Sequence, residues 1–339
     1  MSKDQRPIIG ITMGDPASIS PEICVKALRE EEVYKVCRPV LFGDKSVIEY
    51  YINLLNAGLE INVISDPNEG KYTYGTIDLI DLGEIKDIRE IEIGKISAKA
   101  GRASARYIEE AVKFALAKKI DAVATAPINK EAWKMAGVEY IGHTEMLGAL
   151  TNTEDPLTMF QMESMRVFFL TRHVSLRQAI EMIKKERILD YIIRCTKALE
   201  AIGVSNPKLA VAALNPHAGE HGLFGDEEIK EIEPAVQEAR EMGYDVHGPI
   251  PADYVFWACL NGKYDAVLSL YHDQGHIATK TRDFYRTVSV TLGLPFIRTS
   301  PDHGTAMSRA GKGTANHLSM LESIKVAVDY SKKYKYPIF

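Results

Sequence analysis

PIIGITMGDPASISPEICVKAL, residues 7–28, is the stretch on which the fold class turns. Its first part, Pro7 to Met13, is a short apolar run rich in β-branched residues, as expected of a buried strand. The run breaks at Gly14-Asp15-Pro16, and Ile23, Val25, Ala27 and Leu28 then follow at helical spacing. Strand, loop and helix in that order recur down the chain. Pro39 to Phe42 reads as a strand ending at Gly43-Asp44, followed by a helix through Val47 and Tyr51 and a strand around Ile61 to Ile64. Gly101 to Lys118 has helical spacing and leads into an apolar strand, Ile120 to Ala124, that runs into Thr125-Ala126-Pro127. Further strands are expected at Met165 to Leu170, Leu209 to Leu214 and Ala266 to Leu270, with amphipathic helices such as Asp190 to Ile202 between them. Short strands alternating with helices define an α/β protein, in which the loops at strand C-termini carry the ligand chemistry.

The chain has 339 residues, 46% hydrophobic and 26% charged, enough for two domains sharing a cleft. Net charge is −5 and the basic residues are dispersed, which argues against nucleic acid as a partner. Four scattered cysteines, Cys24, Cys37, Cys195 and Cys259, form no CxxC pair, and the N-terminal residues lack the pattern of a secretory leader. A reduced, cytoplasmic compartment is expected. No apolar run approaches the roughly 20 residues that span a bilayer, so no membrane association is expected.

Three predicted strands end in histidine: Thr171-Arg172-His173, Asn215-Pro216-His217 and Tyr271-His272-Asp273. Neutral imidazole is a common ligand of zinc and related ions, and a catalytic metal site takes about three protein ligands with one position open. Separations of 44 and 55 residues match no compact metal motif, and a single loop histidine is more often a surface or hydrogen-bonding residue. Their shared topological position is what favours a metal role. Asp273 and Asp253 are candidate carboxylate ligands or imidazole orienters, with helix capping as the alternative for each. His143-Thr144-Glu145 precedes the apolar MLGALT, where Thr144 suits either a helix N-cap or an anionic substrate. Lys280 and Arg298 are candidate cations for a carboxylate or phosphate, unless they lie on solvated faces. His303-Gly304-Thr305-Ala306 with Ala310-Gly311-Lys312-Gly313 is a glycine-punctuated loop that a nucleotide could approach closely. Neither a GxGxxG fingerprint after a strand nor a P-loop is present.

Taken together, ITMGDPASISPEI, TAPINK, GHTE, RHVSLR, NPHAGEHGLFGDEE, GPIPAD, YHDQGH, TLGLPFIRTSPDHGTA and AGKGTAN resemble the 4-hydroxythreonine-4-phosphate dehydrogenase family, which includes 4-phospho-D-threonate and 4-phospho-D-erythronate dehydrogenases. The motifs occur in order over nearly the whole chain. The resemblance implies a two-domain α/β/α subunit similar to isocitrate and isopropylmalate dehydrogenases, with the active site in the interdomain cleft of a homodimer. Residues 1–130 plus 281–339 would form a first domain with the NAD loop, and 131–280 a second with the metal ligands and the dimerisation surface. His173 and His217, with His272 of the partner subunit, would bind one divalent cation (Zn, Mn, Co or Mg). His143, Thr144, Lys280, Ser289 and Arg298 would contact substrate, with Lys280, His143 and Asp253 as the catalytic residues. Gly304, Thr305, Ala306 and Asn316 would hold NAD.

Two departures stand out. The family's usual GDPAGIGPE is GDPASISPE here, with Ser18 and Ser20 in place of glycines, and Ser289 stands where the pyridoxine-pathway enzymes have Asn. The second, together with YHDQGHIATK, resembles the threonate and erythronate branch. The implied activity is NAD-dependent oxidation, with decarboxylation, of a 4-phosphorylated hydroxy acid. Alternatives are 4-phosphohydroxy-L-threonine or a cyclic dihydrodiol carboxylate as substrate, a metal-dependent phosphoester hydrolase, or a non-catalytic sensor.

Overall fold

The computed structural model describes residues 4–338. Its strands, in chain order, are β1 Ile8–Thr12, β2 Arg38–Gly43, β3 Glu60–Val63, β4 Thr76–Asp81, β5 Ala122–Thr125 and β6 Leu157–Met162. They continue with β7 Met165–Phe169, β8 Leu209–Ala212, β9 Val246–Ile250, β10 Ala266–Ser269, β11 Val288–Leu292 and β12 Ile297–Pro301. The chain divides into two units, one from the chain up to Pro156 together with Leu294–Lys332, the other from Leu157–Gly293 with the chain from Lys333 onward. The α/β class expected from the sequence is what each unit shows.

In the first unit the strand order is β3-β4-β2-β1-β5-β12, and every pairing is parallel. All five residues of β1 are buried, because helices cover both faces and a parallel strand so placed has no polar side to show. The helix Ala98–Leu116, N-capped by Ser97 Oγ on the Ala100 amide, is lined with alanine, glycine and serine, which let a neighbouring helix come close. A Cβ on Gly101 would stand 2.1 Å from the Ala132 carbonyl oxygen, and Trp133 Nε1 donates to Ser104 Oγ at 2.8 Å. That packing ties Lys130–Met135 to the first unit and moves its boundary from the expected 130 to 156.

The second unit orders its strands β11-β6-β7-β10-β8-β9. Here β6 is antiparallel to both β11 and β7, whereas β7, β10, β8 and β9 run parallel. Its core gathers Phe160, Met162, Val167, Phe169, Val255, Phe256 and Val267. Pairing of β11 with β6 keeps residues 281–293 in this unit rather than the first. Residues past Lys333 join it too, with the Lys335 amide donating to the Ala201 carbonyl at 3.0 Å. No described helix is long and apolar enough to cross a membrane.

Candidate active site

In the first unit β1, β5 and β12 run parallel, and the candidate residues lie on β12 itself, in the loops that follow these strands and on the helix opened by His143. Arg298 is 4% exposed, and its Nε and Nη2 donate to Thr125 Oγ1, the last residue of β5, at 3.0 and 2.7 Å. Burial pushes the guanidinium down to about 9, offset in part by the field of Glu145, so it remains a cation at neutral pH. His143 opens the helix His143–Thr151, whose N-cap is Gly142; Thr144 therefore lies inside the first turn and does not cap it. His143 is half-buried, and its Nε2 is sealed and has no hydrogen-bond partner among the described residues. Burial, reinforced by the charges of Arg298 and Lys130, holds this imidazole well below its usual pKa, hence neutral. A sealed cation and a neutral imidazole at the start of a helix make a site for an anion that also carries a hydroxyl or phosphoryl oxygen.

The loop Gly14–Ile19 is stitched into its neighbours. The Asp15 amide and Ser20 Oγ both donate to the Pro127 carbonyl, at 3.0 and 2.7 Å. Ser18 Oγ donates to the Asp15 carbonyl at 2.8 Å and accepts from the Ser20 amide at 3.0 Å. Both serines that replace glycine are thus fully buried and turned into the scaffold, where they brace the loop. The Ile19 amide donates to the Thr305 carbonyl at 3.2 Å. Glu22, fully buried, accepts from the Ala315 amide at 2.7 Å and from Lys26 Nζ at 2.8 Å, while the same Nζ reaches the Gly313 and Ala315 carbonyls at 2.9 and 2.8 Å. Both glycine-bearing loops are therefore clasped by one segment. Around Gly304 a Cβ would meet nothing within 4 Å, leaving room for a ligand to approach the backbone. Ala306 adopts a left-handed conformation ahead of Met307–Arg309, and Asn316 Oδ1 is engaged in capping the Leu318 amide at 2.9 Å.

In the second unit His173 and His272 follow β7 and β10, which are paired, and their rings lie 6.1 Å apart. They border a hollow of about 310 Å3 with Arg172, Tyr271 and Asp273, whose Oδ1 is 2.7 Å from His272 Nδ1. The two rings are tilted 44° to one another and border the same hollow, so these histidines are near enough to act on one ligand. Behind His272, His276 stacks on Phe169 with ring centres 4.8 Å apart and stands 4.1 Å from His272. The sequence reading passed over His276; its signal was the four-residue spacing within YHDQGH, which puts two histidines on one helix face.

His217 lies elsewhere. It stands on the loop Pro216–Gly222, beside a separate hollow of about 640 Å3 lined also by Glu220, His221 and Arg240. His217, Ala218, Gly219, Glu220 and His221 are all left-handed, with φ of 52, 56, 78, 43 and 55°. Four of the five carry a Cβ, a strain of roughly 1–2 kcal/mol each. Among the described residues no three His, Cys, Asp or Glu side chains of one chain converge as a metal-ligand set. Asp253 is exposed in the first turn of Ala252–Leu260, caps nothing, and borders neither hollow. Lys280 occupies the last turn of His272–Arg282, its Nζ 5.3 Å from the Phe284 ring centre, and Ser289 is buried on β11 opposite Phe160.

Comparison with known proteins comes to the same family as the motifs. The family model described as pyridoxal phosphate biosynthetic protein PdxA matches residues 35–327. A Clostridium botulinum (strain Langeland) protein, provisionally named D-threonate 4-phosphate dehydrogenase, is 58% identical over 98% of this chain and 99% of its own length. Crystal structures of 4-hydroxythreonine-4-phosphate dehydrogenases from Klebsiella pneumoniae and Burkholderia phymatum superpose with TM-scores of 0.88 and 0.84. Their identities are 41 and 43%, over 97 and 96% of this chain and 99% of each of theirs.

Proposed function

The chain belongs to the PdxA family of dehydrogenases, and from that premise we propose that it oxidises, and then decarboxylates, a 4-phosphorylated hydroxy acid with NAD and a divalent cation. The substrate is 4-phospho-D-threonate or its erythronate epimer. Support comes from the 58% identical relative named for the threonate and from Ser289, shorter than the Asn of the vitamin-pathway enzymes. The observation that carries the reading is Arg298: a guanidinium kept sealed and charged, next to an imidazole kept neutral, suits a small polyanionic acid. Arg298, His143 and Thr144 are assigned to its anionic and hydroxyl oxygens; Ser289 and Lys280 are kept as candidate substrate residues, with Lys280 as the candidate proton donor to the carbon that loses carbon dioxide. Asp253 is kept as a candidate positioning carboxylate.

His173 and His217, with His272 of the partner subunit, are the residues we assign to the cation, although one chain sets His173 and His217 beside separate hollows, and Gly304, Thr305, Ala306 and Asn316 are those we assign beside NAD. When bound, the cation supplies Lewis acidity at the hydroxyl and NAD a hydride acceptor. Under this reading the enzyme works as a homodimer in the cytoplasm. The test is to incubate metal-loaded protein with NAD and, separately, 4-phospho-D-threonate, 4-phospho-D-erythronate and 4-phosphohydroxy-L-threonine, following NADH absorbance and carbon dioxide. Turnover of either acid sugar phosphate is expected. Turnover of the amino acid alone would move the enzyme to vitamin synthesis, and phosphate release without NAD reduction would replace the dehydrogenase reading with a hydrolase.

A further inference from the structure

The turn that carries His217 has no apolar core of its own. Among Pro216 to Gly222 only Gly219 is buried, so no apolar burial offsets the run of left-handed residues. At its ends the turn is tied to the flanking chain by Ala218 N to Asn215 O and Leu223 N to Glu220 O, both at 3.2 Å, and by Phe224 N to Gly219 O at 3.1 Å. Beneath it lies Glu228, which is fully buried. Its Oε1 accepts from the Leu214 and Asn215 amides at 2.9 and 2.7 Å, and its Oε2 from Asn215 Nδ2 at 2.8 Å. Asn215 Nδ2 also donates to Glu227 Oε2 at 2.7 Å. A Cβ on Gly219 would stand 2.9 Å from Glu228 Oε2, so the middle of the turn rests almost on the carboxylate. Glu228 opens a π-helical segment, Glu228–Ile232, a wider turn than an α-helix and one frequent beside functional sites.

We infer that Glu228 is a positioning residue: its buried carboxylate holds the left-handed turn His217–His221 in shape and thereby fixes where the His217 imidazole stands. A buried charge is costly unless its hydrogen bonds are filled, and here both oxygens spend theirs on the segment that leads into the turn. The carboxylate has no role in the chemistry itself; it acts through His217. The consequence for metal binding rests on the proposed reading of His217 as a ligand, whereas the consequence for the turn does not.

The experiment uses the full chain with Glu228→Gln. In metal-free protein, amide hydrogen exchange over residues 214–224 is expected to quicken at least tenfold, with the rest of the chain within about twofold of the parent. Calorimetric titration with Co2+ should show a dissociation constant about tenfold weaker. Adding Ala218→Gly, which removes a Cβ from a residue at φ 56°, should recover much of both losses, because glycine adopts that conformation without strain. Asn215→Ala, which keeps the carboxylate and its two backbone partners, serves if the first variant does not fold, and should move both readouts the same way by about threefold. Unchanged exchange over 214–224, or no rescue by Ala218→Gly, overturns the inference. A parent protein that binds no Co2+ sinks the ligand reading of His217, and exchange alone then decides on Glu228.

Discussion

Replacing Arg298 with methionine separates a binding role for this residue from a structural one. Burial brings the guanidinium down to about 9, and since each pH unit is worth about 1.36 kcal/mol, keeping the charge sealed costs the ligand-free protein on the order of 4 to 5 kcal/mol. Methionine removes that cost and most of the volume change is small. What it forfeits includes the pair of hydrogen bonds to Thr125 Oγ1, a net of about 1–3 kcal/mol. The facing carboxylate, Glu145, is exposed, so leaving it without the cation costs little. Thermal stability should therefore hold or rise by a few degrees. A charge-assisted bond to a phosphate or carboxylate contributes about 1.5–3 kcal/mol, so substrate affinity and kcat/KM should fall roughly 10- to 150-fold. Calorimetric titration with 4-phospho-D-threonate and differential scanning calorimetry at pH 7.5 measure the two sides. Arg298→Lys, which keeps a charge but not the planar fork, should recover only a small part of the loss. Unchanged affinity alongside a large drop in melting temperature would show that Arg298 is a structural brace and remove the main support for the proposed substrate class.

Three further outcomes are expected. Asp15 is buried with Oδ2 lacking a hydrogen-bond partner, and burial raises its carboxyl to about 6; the stability it contributes is present below about pH 4 and lost as pH rises through 6. Asp15→Asn should therefore stabilise the protein at pH 8, by up to about 3 kcal/mol, by about half that at pH 5 and by almost nothing below about pH 3.5; a difference in melting temperature that ignores pH would refute this. Gly101→Ala pits a helix-propensity gain of about 1 kcal/mol against a contact at 2.1 Å to the Ala132 carbonyl, which must be relieved by moving backbone. Overpacking of that kind costs about 1–3 kcal/mol, so a net loss of several degrees in melting temperature is expected, and a gain would mean the two helices separate easily. Glu22→Gln breaks the ion pair that clasps the 310–316 loop, and should weaken NAD binding about tenfold in a fluorescence titration while leaving substrate affinity within twofold; equal loss of both would reduce Glu22 to general support of the unit.

Parallel strands covered by helices announce themselves as apolar runs, which is why β1, β2, β5, β7, β8 and β10 can be placed from residues alone to within one or two positions. Other elements hide for specific reasons. In β4, TIDLID carries Asp78 at a buried position, acceptable only because Asn62 Nδ2 and the Lys71 and Tyr72 amides donate to its carboxylate. The strand β6, LTMFQM, has few β-branched residues and turns into β7 through Glu163-Ser164, with Glu163 left-handed and no glycine or asparagine to mark the hairpin. Segment SVTLGLPFI, strand-like in composition throughout, is the end of β11, a break at Gly293–Phe296, and the start of β12, and that break is where the chain passes from one unit to the other. Residues that repack helix on helix, such as Gly101 and Trp133, set the boundary at 156, and nothing in local composition records that.

The same distinction between chemistry and placement runs through the candidate metal ligands. Strand order β7-β10-β8 sets the ends of all three histidine-bearing strands side by side, so the expectation that equivalent positions converge has a sound topological basis. His173 lies four residues past β7 and His272 three past β10, and the two meet. His217 lies five past β8, but those residues lead into a left-handed turn that no glycine pattern foretells, since four of its five members have side chains. That turn carries the imidazole outward, 71% exposed, rather than into the hollow of the other two. An imidazole so exposed, on a turn seated on a buried carboxylate, is accessible to a second copy of the chain. Metal affinity that falls with protein dilution, in step with the loss of dimer, is the behaviour this arrangement requires if the cation is shared between subunits, and affinity independent of dilution would confine the cation to His173 and His272 of one chain.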